Sequence, residues 1–352
     1  MGVNFGLNLY HNLLTTHILR SHNSFMKNNN FKWLNPFFDG SKFKSFKKEV
    51  EEKRVLCKTL WMKLRSFIRN YFTDYREFEC KWVENNCNIP ESSKSLKITW
   101  IGHSTFLIQI AEKNILVDPI FFRPSIIFRR NFPPGISLEK LPQIHVVLIS
   151  HNHRDHMDAK SLKFIVKRFP GVKIMVPFGD KKNLQYYGLD GHEFQWWQEM
   201  QDDFVKFTFL PAKHWSQHWL LDKKKSLWGS WMISVNDKNV YFGGDTSYSS
   251  HFVEIGKKFD GIDIALLPIG PCEPRSWLME NHLAGDKVID ALCEINAKCL
   301  IPMHWATFNF GEDYLEQPIE ELDKAWLSCV DKTKNISLHF VKMGKIYFFE
   351  DV

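Results

Sequence analysis

The apolar run Val146-Val147-Leu148-Ile149-Ser150 leads directly into His151-Asn152-His153-Arg154-Asp155-His156. The run reads as a strand. The side chains that follow it are of the kinds zinc takes, imidazole nitrogens and a carboxylate. A tight turn at the end of a strand can aim them at two metals rather than one. Lone histidine pairs are commonly structural or incidental. Three histidines and an aspartate packed into six positions after an apolar strand point instead to a metal.

Around this cluster, 352 residues suffice for one large domain or two ordinary ones, and 44% hydrophobic content permits a full-sized core. The 13 Trp and 30 Phe suit a broad core. They also suit a surface that meets lipid headgroups, although core packing accounts for most such rings. Seven cysteines at irregular spacing, with no C-x-x-C pair, argue against a disulfide framework and for a reducing compartment. The expected location is cytoplasmic, with peripheral membrane association left open. No run approaches the roughly 20 apolar residues of a membrane span. The first thirty residues lack a clean apolar signal core. Met1-Gly2 resembles a myristoylation start, but Gly6 stands where Ser or Thr is required.

The net charge of +6 is unevenly placed. Residues 1–95 carry +7 and the remainder −1. A basic excess confined to one end fits an anionic surface partner better than nucleic acid. Residues 1–30 read as poorly ordered, and residues 43–84 as helical. Leu60, Trp61, Leu64, Phe67, Ile68, Tyr71 and Phe72 recur there at helical spacing, with Lys58, Arg65 and Arg69 on another face. Such a helix can lie at a membrane interface, with Trp61, Phe67 and Phe72 among headgroups and Lys58, Arg65 and Arg69 near anionic lipid. The competing reading packs its apolar face on the rest of the protein.

From about residue 96 the texture changes to strands and turns. Strands are expected at 98–102, 106–110 and 115–117, with Asn114 as a hairpin turn signal. The metal strand 146–150 follows. Further strands are expected at 173–176, 204–210, 231–235, 240–242, 262–267, 300–303, 337–341 and 346–349. Helices are expected at 161–169, 250–258, 284–296 and 318–330. Two strand-rich halves interleaved with helices give a layered α/β architecture. The division is an extension over 1–95 and a catalytic domain over 96–352.

Three more ligand candidates follow apolar strands: His214 in Ala212-Lys213-His214-Trp215, Asp245 in Gly243-Gly244-Asp245-Thr246, and His304 in Pro302-Met303-His304-Trp305. Each alone has an ordinary reading as a capped or hydrogen-bonded loop residue. Their order and placement after the first cluster are specific.

His151-x-His153-x-Asp155-His156, followed by His214, Asp245 and His304, resembles the two-zinc ligand set of the metallo-β-lactamase superfamily. The resemblance implies a four-layered αββα sandwich with two Zn2+ at one edge. His151, His153 and His214 would hold one ion, and Asp155, His156 and His304 the other, with Asp245 bridging. Trp100-Ile101-Gly102-His103-Ser104-Thr105, Val117-Asp118-Pro119, Lys213-His214-Trp215-Ser216, Leu227-Trp228-Gly229-Ser230-Trp231 and Met303-His304-Trp305-Ala306-Thr307-Phe308 are similar to the branch containing N-acyl-phosphatidylethanolamine-specific phospholipase D. The similarity spans roughly residues 96–325. It implies a role near the phosphate for His282, in Glu280-Asn281-His282-Leu283.

Two divalent ions can share one water, lower its pKa and polarise a phosphoryl oxygen, so no Ser or Cys nucleophile is needed. Asp155 and His282 are the catalytic candidates, His282 as a donor of a proton or hydrogen bond to developing charge. His103 and Asp118 are expected behind the ligands, satisfying their second nitrogens. Ser104 and Thr105 are assigned to the turn. His218 and the Lys223-Lys224-Lys225 run read as solvated loop features. The leading function is a zinc phosphodiesterase of phospholipase D type acting on N-acyl-phosphatidylethanolamine or a related phospholipid. The alternative is a hydrolase of small soluble esters or lactones on the same metals. A nuclease or non-catalytic binder is disfavoured, since no basic stripe flanks the ligands. A phospholipid substrate is the expected partner, nucleic acid is not expected, and a homodimer is left open.

Overall fold

A computed structural model describes residues 36–44, 65, 68, 76–84, 88–126 and 128–349, all within the compact unit Asn35–Val352. Its strands, in chain order, are β1 (Phe37–Phe38), β2 (Phe43–Lys44), β3 (Lys97–Gly102), β4 (Thr105–Ile110), β5 (Lys113–Val117), β6 (Val146–Leu148), β7 (Lys173–Pro177) and β8 (His192–Phe194). There follow β9 (Glu199–Asp202), β10 (Val205–Leu210), β11 (Ser230–Val235), β12 (Lys238–Phe242), β13 (Ile264–Pro268), β14 (Cys299–Met303), β15 (Ser337–Leu338) and β16 (Ile346–Phe348). The helices used below are α1 (Arg76–Trp82), α2 (Ala159–Arg168), α3 (Lys181–Tyr186), α4 (His251–Lys258), α5 (Arg275–Leu278), α6 (Asp286–Glu294) and α7 (Gln317–Ser328). Among the described residues, no helix is long and apolar enough to cross a membrane.

Two seven-stranded mixed sheets form the body, in the orders β16-β3-β4-β5-β6-β7-β8 and β15-β14-β13-β12-β11-β10-β9. Central strands such as β4 and β13 are buried along their whole length, as strands covered on both faces are. Trp231 of β11 joins the sheets: its ring lies 5.0 Å from Phe194 of β8, and its indole N–H donates to the Ile149 carbonyl at 2.9 Å. Helices cover the outer faces. Leu162 and Ile165 of α2 and Leu184 of α3 join Leu107, Leu116, Val147 and Ile174 in one core on the first sheet. On the second, α6 packs on β13 between α4 and α7. The start of α2 is set by Asp158, whose carboxylate accepts from the Lys160 and Ser161 amides. Such a cap contributes about 1 kcal/mol.

The topology brings one set of strand ends together. β3 and β5 both run antiparallel to β4, and β6 is parallel to β5. β10 and β12 both run antiparallel to β11, and β13 and β14 are parallel to β12. In each sheet the C-terminal ends of these strands therefore open on a single edge, where residues 103, 118, 151, 214, 245 and 304 emerge.

Several local expectations are corrected. Asn114 is not the β4–β5 turn residue. Ala111 and Glu112 make that turn, at φ 48° and 62°, matching the positive-φ pairs that suit twisted hairpins. Asn114 is buried in β5 and donates to the Glu91 and Gln143 carbonyls, both at 2.7 Å. Its turn propensity loses to the need to satisfy two buried carbonyls. The helical reading of 43–84 fails at its start, because Phe43 and Lys44 pair with Phe38 and Phe37 as a hairpin. It holds at α1, where Trp82 meets Trp305 edge-on at 5.1 Å and Phe78 stacks on Phe132 at 5.1 Å. Of the proposed lipid-facing segment 58–72, all but Arg65 and Ile68 lie outside the described residues, as do residues 1–30. Arg65 sits 3.7 Å from Glu312, and Ile68 is exposed. α3, β8 and β9 leave no periodic signal in the sequence, because they are short and largely polar.

Candidate metal centre

The metal-type side chains converge on the shared edge. His151 Nε2 lies 2.8 Å from His153 Nδ1, which lies 3.3 Å from His214 Nε2. These three can present one nitrogen each to a common point. His103, Asp155, His156 and His304 form a second such group, and Asp245, His282 and His304 a third. The Asp245 carboxylate reaches across them. Oδ1 is 3.1 Å from His304 Nε2, and Oδ2 is 3.3 Å from His156 Nε2, 3.8 Å from His214 Nε2 and 3.8 Å from His282 Nδ1.

The far sides of three imidazoles are held, while His153 Nε2 and His304 Nδ1 have no hydrogen-bond partner among the described residues. His156 Nδ1 lies 2.7 Å from Asp118 Oδ2, His151 Nδ1 lies 2.9 Å from Ser150 Oγ, and His214 Nδ1 lies 3.1 Å from the Asn281 carbonyl. Asp118 also accepts from the Ser150 amide at 2.7 Å and its hydroxyl at 2.5 Å. With one ring nitrogen engaged, the other is directed inward as a lone-pair donor. His103 has a different place: its Nε2 contacts Asp155 Oδ2 at 3.0 Å. Its own amide donates to Thr307 Oγ1 at 2.6 Å, tying the β3–β4 turn to the His304 loop.

The electrostatics favour bound cations. Burial pushes His214 and His282 down to about 3 and His153 to about 4, and holds His151 well below its ordinary value. These rings are neutral at neutral pH, the form that binds metal. Burial opposes charge on His156 too, but Asp245, Asp155 and Asp118 outweigh it and hold its imidazole well above the usual range. Among the described residues, buried atoms of ligand type without a hydrogen-bond partner include His156 Nε2, His304 Nε2, Asp245 Oδ1 and His282 Nδ1. They approach one another closely without hydrogen-bond geometry, as atoms aimed at a shared ion do. Buried polar groups are seldom left so. The residues fit divalent metal of the kind bound by nitrogen and oxygen donors.

The backbone is strained where these groups emerge. His103, Asp118 and His304 have φ of 55°, 39° and 63°, in the left-handed region that costs a non-glycine residue of order 1 kcal/mol or more. Gly244, at φ 57°, precedes Asp245, and a Cβ there would stand 2.6 Å from Ser150 Cβ.

Some surrounding groups differ from the sequence reading. Thr105 serves the next strand's turn, donating to the Asp118 carbonyl at 2.7 Å and accepting from the Ile120 amide at 3.0 Å. His218 is not solvated. It is buried, with Nδ1 2.8 Å from the Asn152 carbonyl and Nε2 2.8 Å from Tyr187 Oη. Its partners come from two other segments, so nothing local marks it. The run at 223–225 is solvated only in part: Lys225 is exposed, whereas the half-buried Lys223 ammonium sits over the Trp215 ring at 4.9 Å and the Lys224 carbonyl accepts from the Phe43 amide at 2.8 Å. Ser150 and the Asn281 carbonyl escaped the sequence reading. Only the adjacency of Ser150 to His151 could have flagged the former. The described cysteines, Cys80, Cys272, Cys293, Cys299 and Cys329, are free.

A family model of the beta-lactamase superfamily domain matches residues 113–305. N-acyl-phosphatidylethanolamine-hydrolyzing phospholipase D 1 of Caenorhabditis elegans is 32% identical over 279 residues, covering 74% of this chain and 78% of its own length. The mitochondrial N-acyl-phosphatidylethanolamine-hydrolyzing phospholipase D of Saccharomyces cerevisiae is 31% identical over 265 residues, covering 70% of this chain but 56% of its own. Among solved structures, the metallo hydrolase Igni18 of Ignicoccus hospitalis matches with a TM-score of 0.57 at 22% identity, over 73% of this chain and 99% of that one. The metallo-β-lactamase fold protein YhfI of Bacillus subtilis matches with a TM-score of 0.52 at 19% identity, over 72% and 98%.

Proposed function

We infer a substrate class for a chain that belongs to the metallo-β-lactamase superfamily of metal-dependent hydrolases: it is a phosphodiesterase of phospholipase D type that cleaves N-acyl-phosphatidylethanolamine or a related phospholipid. The observation that carries this reading is His282. Its buried Nδ1 has no hydrogen-bond partner among the described residues and lies 3.8 Å from Asp245 Oδ2, beside the ligand groups. Two zinc ions held by His151, His153 and His214, and by Asp155, His156 and His304, with Asp245 between them, would supply an activated water and a Lewis acid. The protein's own part is to place a donor where charge develops. His282, kept neutral by burial, offers an N–H to a phosphoryl oxygen rather than a full proton. Asp155 is held in register by His103, and His156 by Asp118.

A recess beside His304, lined by apolar Trp305, Phe308 and Phe310 and by polar Asn309, Asp313 and Tyr314, has a volume of about 20 Å³, room for water rather than an acyl chain, so the phospholipid reading does not draw on it. The two phospholipase relatives carry a phospholipid substrate in their names. Peripheral association with a membrane follows from a substrate that resides there, and the irregularly spaced cysteines fit a reducing, cytoplasmic compartment. The N-terminal segment 58–72 would contribute to it, and a homodimer is compatible with it.

The test is a hydrolysis screen of N-acyl-phosphatidylethanolamine and other phospholipids against esters and lactones, with zinc content measured on the same preparation. Phosphatidic acid and a released N-acylethanolamine are the expected products from the first substrate. Cleavage of lactones alone would replace the phospholipid reading with that of a soluble-ester hydrolase. Asp245→Ala should lose metal and turnover together, because its two oxygens face both ligand groups.

A further inference from the structure

We propose that the loop tip at Leu220 and Leu221 is a membrane-docking element that inserts into an anionic phospholipid surface and seats the metal centre against it. This deepens the phospholipid reading and rests on it. Leu220 is 88% exposed and Leu221 82%, and Tyr186, which packs on the adjoining Trp219, is 72% exposed. Single exposed leucines are ordinary, but adjacent ones with an exposed tyrosine packed on the same loop form a patch, and patches of this kind mark interaction surfaces.

The tip is built to stay open. Asp222 Oδ1 accepts from the His218 amide at 3.0 Å and the Trp219 amide at 2.8 Å, closing the loop. Gln217 Nε2 donates to the Trp219 and Leu220 carbonyls at 2.9 and 3.0 Å. These bonds hold the loop closed and leave its two apolar side chains outside.

Charge and aromatic placement select the occupant. Tyr186 packs against Trp219 at 5.0 Å, and the Arg154 guanidinium lies over Trp219 at 5.4 Å. Lys223 follows at 4.9 Å from Trp215. Apolar tips ringed by amphipathic aromatics and cations fit the boundary between headgroups and acyl chains of an anionic bilayer. The loop is also joined to the metal motif: Arg154 Nε donates to the His218 carbonyl at 3.2 Å, and His218 Nδ1 meets the Asn152 carbonyl. A surface that holds the tip therefore holds the segment bearing His151, His153 and Asp155.

The experiment uses the full, metal-loaded chain and sedimentation with vesicles of phosphatidylcholine containing phosphatidylserine. Leu220→Ser with Leu221→Ser should reduce vesicle partitioning by about tenfold or more, with metal content unchanged, since two leucines no longer leave water. Leu220→Trp should strengthen it. Wild-type partitioning should weaken as salt rises. Unchanged partitioning in the double variant, or absence of wild-type binding, overturns the proposal. So does loss of a wild-type dimer in the double variant at unaltered partitioning, which would make the patch a contact between copies. Leucine-dependent binding with no phospholipid cleaved would end the phospholipase reading and leave docking standing. Phospholipid cleavage with leucine-independent binding would do the reverse.

Discussion

Asp118 Oδ2 lies 2.7 Å from His156 Nδ1, and neither side chain is accessible to solvent. The carboxylate fixes which imidazole nitrogen carries the proton, so Nε2 faces the other ligand atoms. Asp118→Asn removes that charge and upsets two bonds from Ser150. Metal affinity should fall about 10–100-fold, the usual cost of losing such a partner, in a chelator competition. Equal affinity in the variant would leave Asp118 with a purely structural role.

His282 is expected to act on substrate rather than on metal retention. His282→Ala should lower turnover about 10²-fold or more while metal content stays at the wild-type level. Parallel loss of metal would make His282 a ligand or a support for one. An unchanged rate would assign it to structure.

Gly244 has a geometric reason to be glycine. At φ 57°, with a Cβ placed 2.6 Å from Ser150 Cβ and 3.0 Å from the Gly229 carbonyl, Gly244→Ala meets both strain and collision. A destabilisation of about 1–3 kcal/mol in urea unfolding is expected. Because Ser150 also donates to Asp118, metal affinity should weaken as well. A variant as stable as wild type would show that the strand ends can move apart at no cost.

Asp180 gives a pH dependence outside the ligand set. Its Oδ1 accepts from Asn152 Nδ2 at 2.7 Å and Asn183 Nδ2 at 2.8 Å, and burial raises its carboxyl to about 7. Between the ordinary value of 3.8 and that raised one, the folded chain keeps a proton that the unfolded chain releases. Stability from this group is therefore full below about pH 4 and lost as pH rises toward about 7. Asp180→Asn lacks the titration, so its stability relative to wild type should rise from about pH 5 to about pH 8 in urea unfolding. Parallel pH curves for the two proteins would remove Asp180 as the source.

The side-chain chemistry of the site was legible from sequence, because metals need particular donors and those donors stand directly after apolar runs. His151 to His156, His214, Asp245 and His304 could be marked on that ground, and β3, β4, β6, β10 and β14 on their apolar patterns. The tertiary structure decided what distance along the chain hides. Sheet pairing brings His214, Asp245 and His304 to a cluster up to 153 residues earlier, and only their convergence leaves His156 Nε2 and His304 Nε2 facing Asp245. The tautomer partners Ser150 and the Asn281 carbonyl, the burial of His218, and the strained backbone at His103, Asp118 and His304 likewise come from long-range packing. Asn114 shows the same limit, since a residue that favours turns sits in a strand when two buried carbonyls need its amide. The string Trp219-Leu220-Leu221 is as apolar as any core strand in sequence. In the fold Trp219 is half-buried while Leu220 and Leu221 stand exposed on a loop closed by the hydrogen bonds of Asp222 and Gln217.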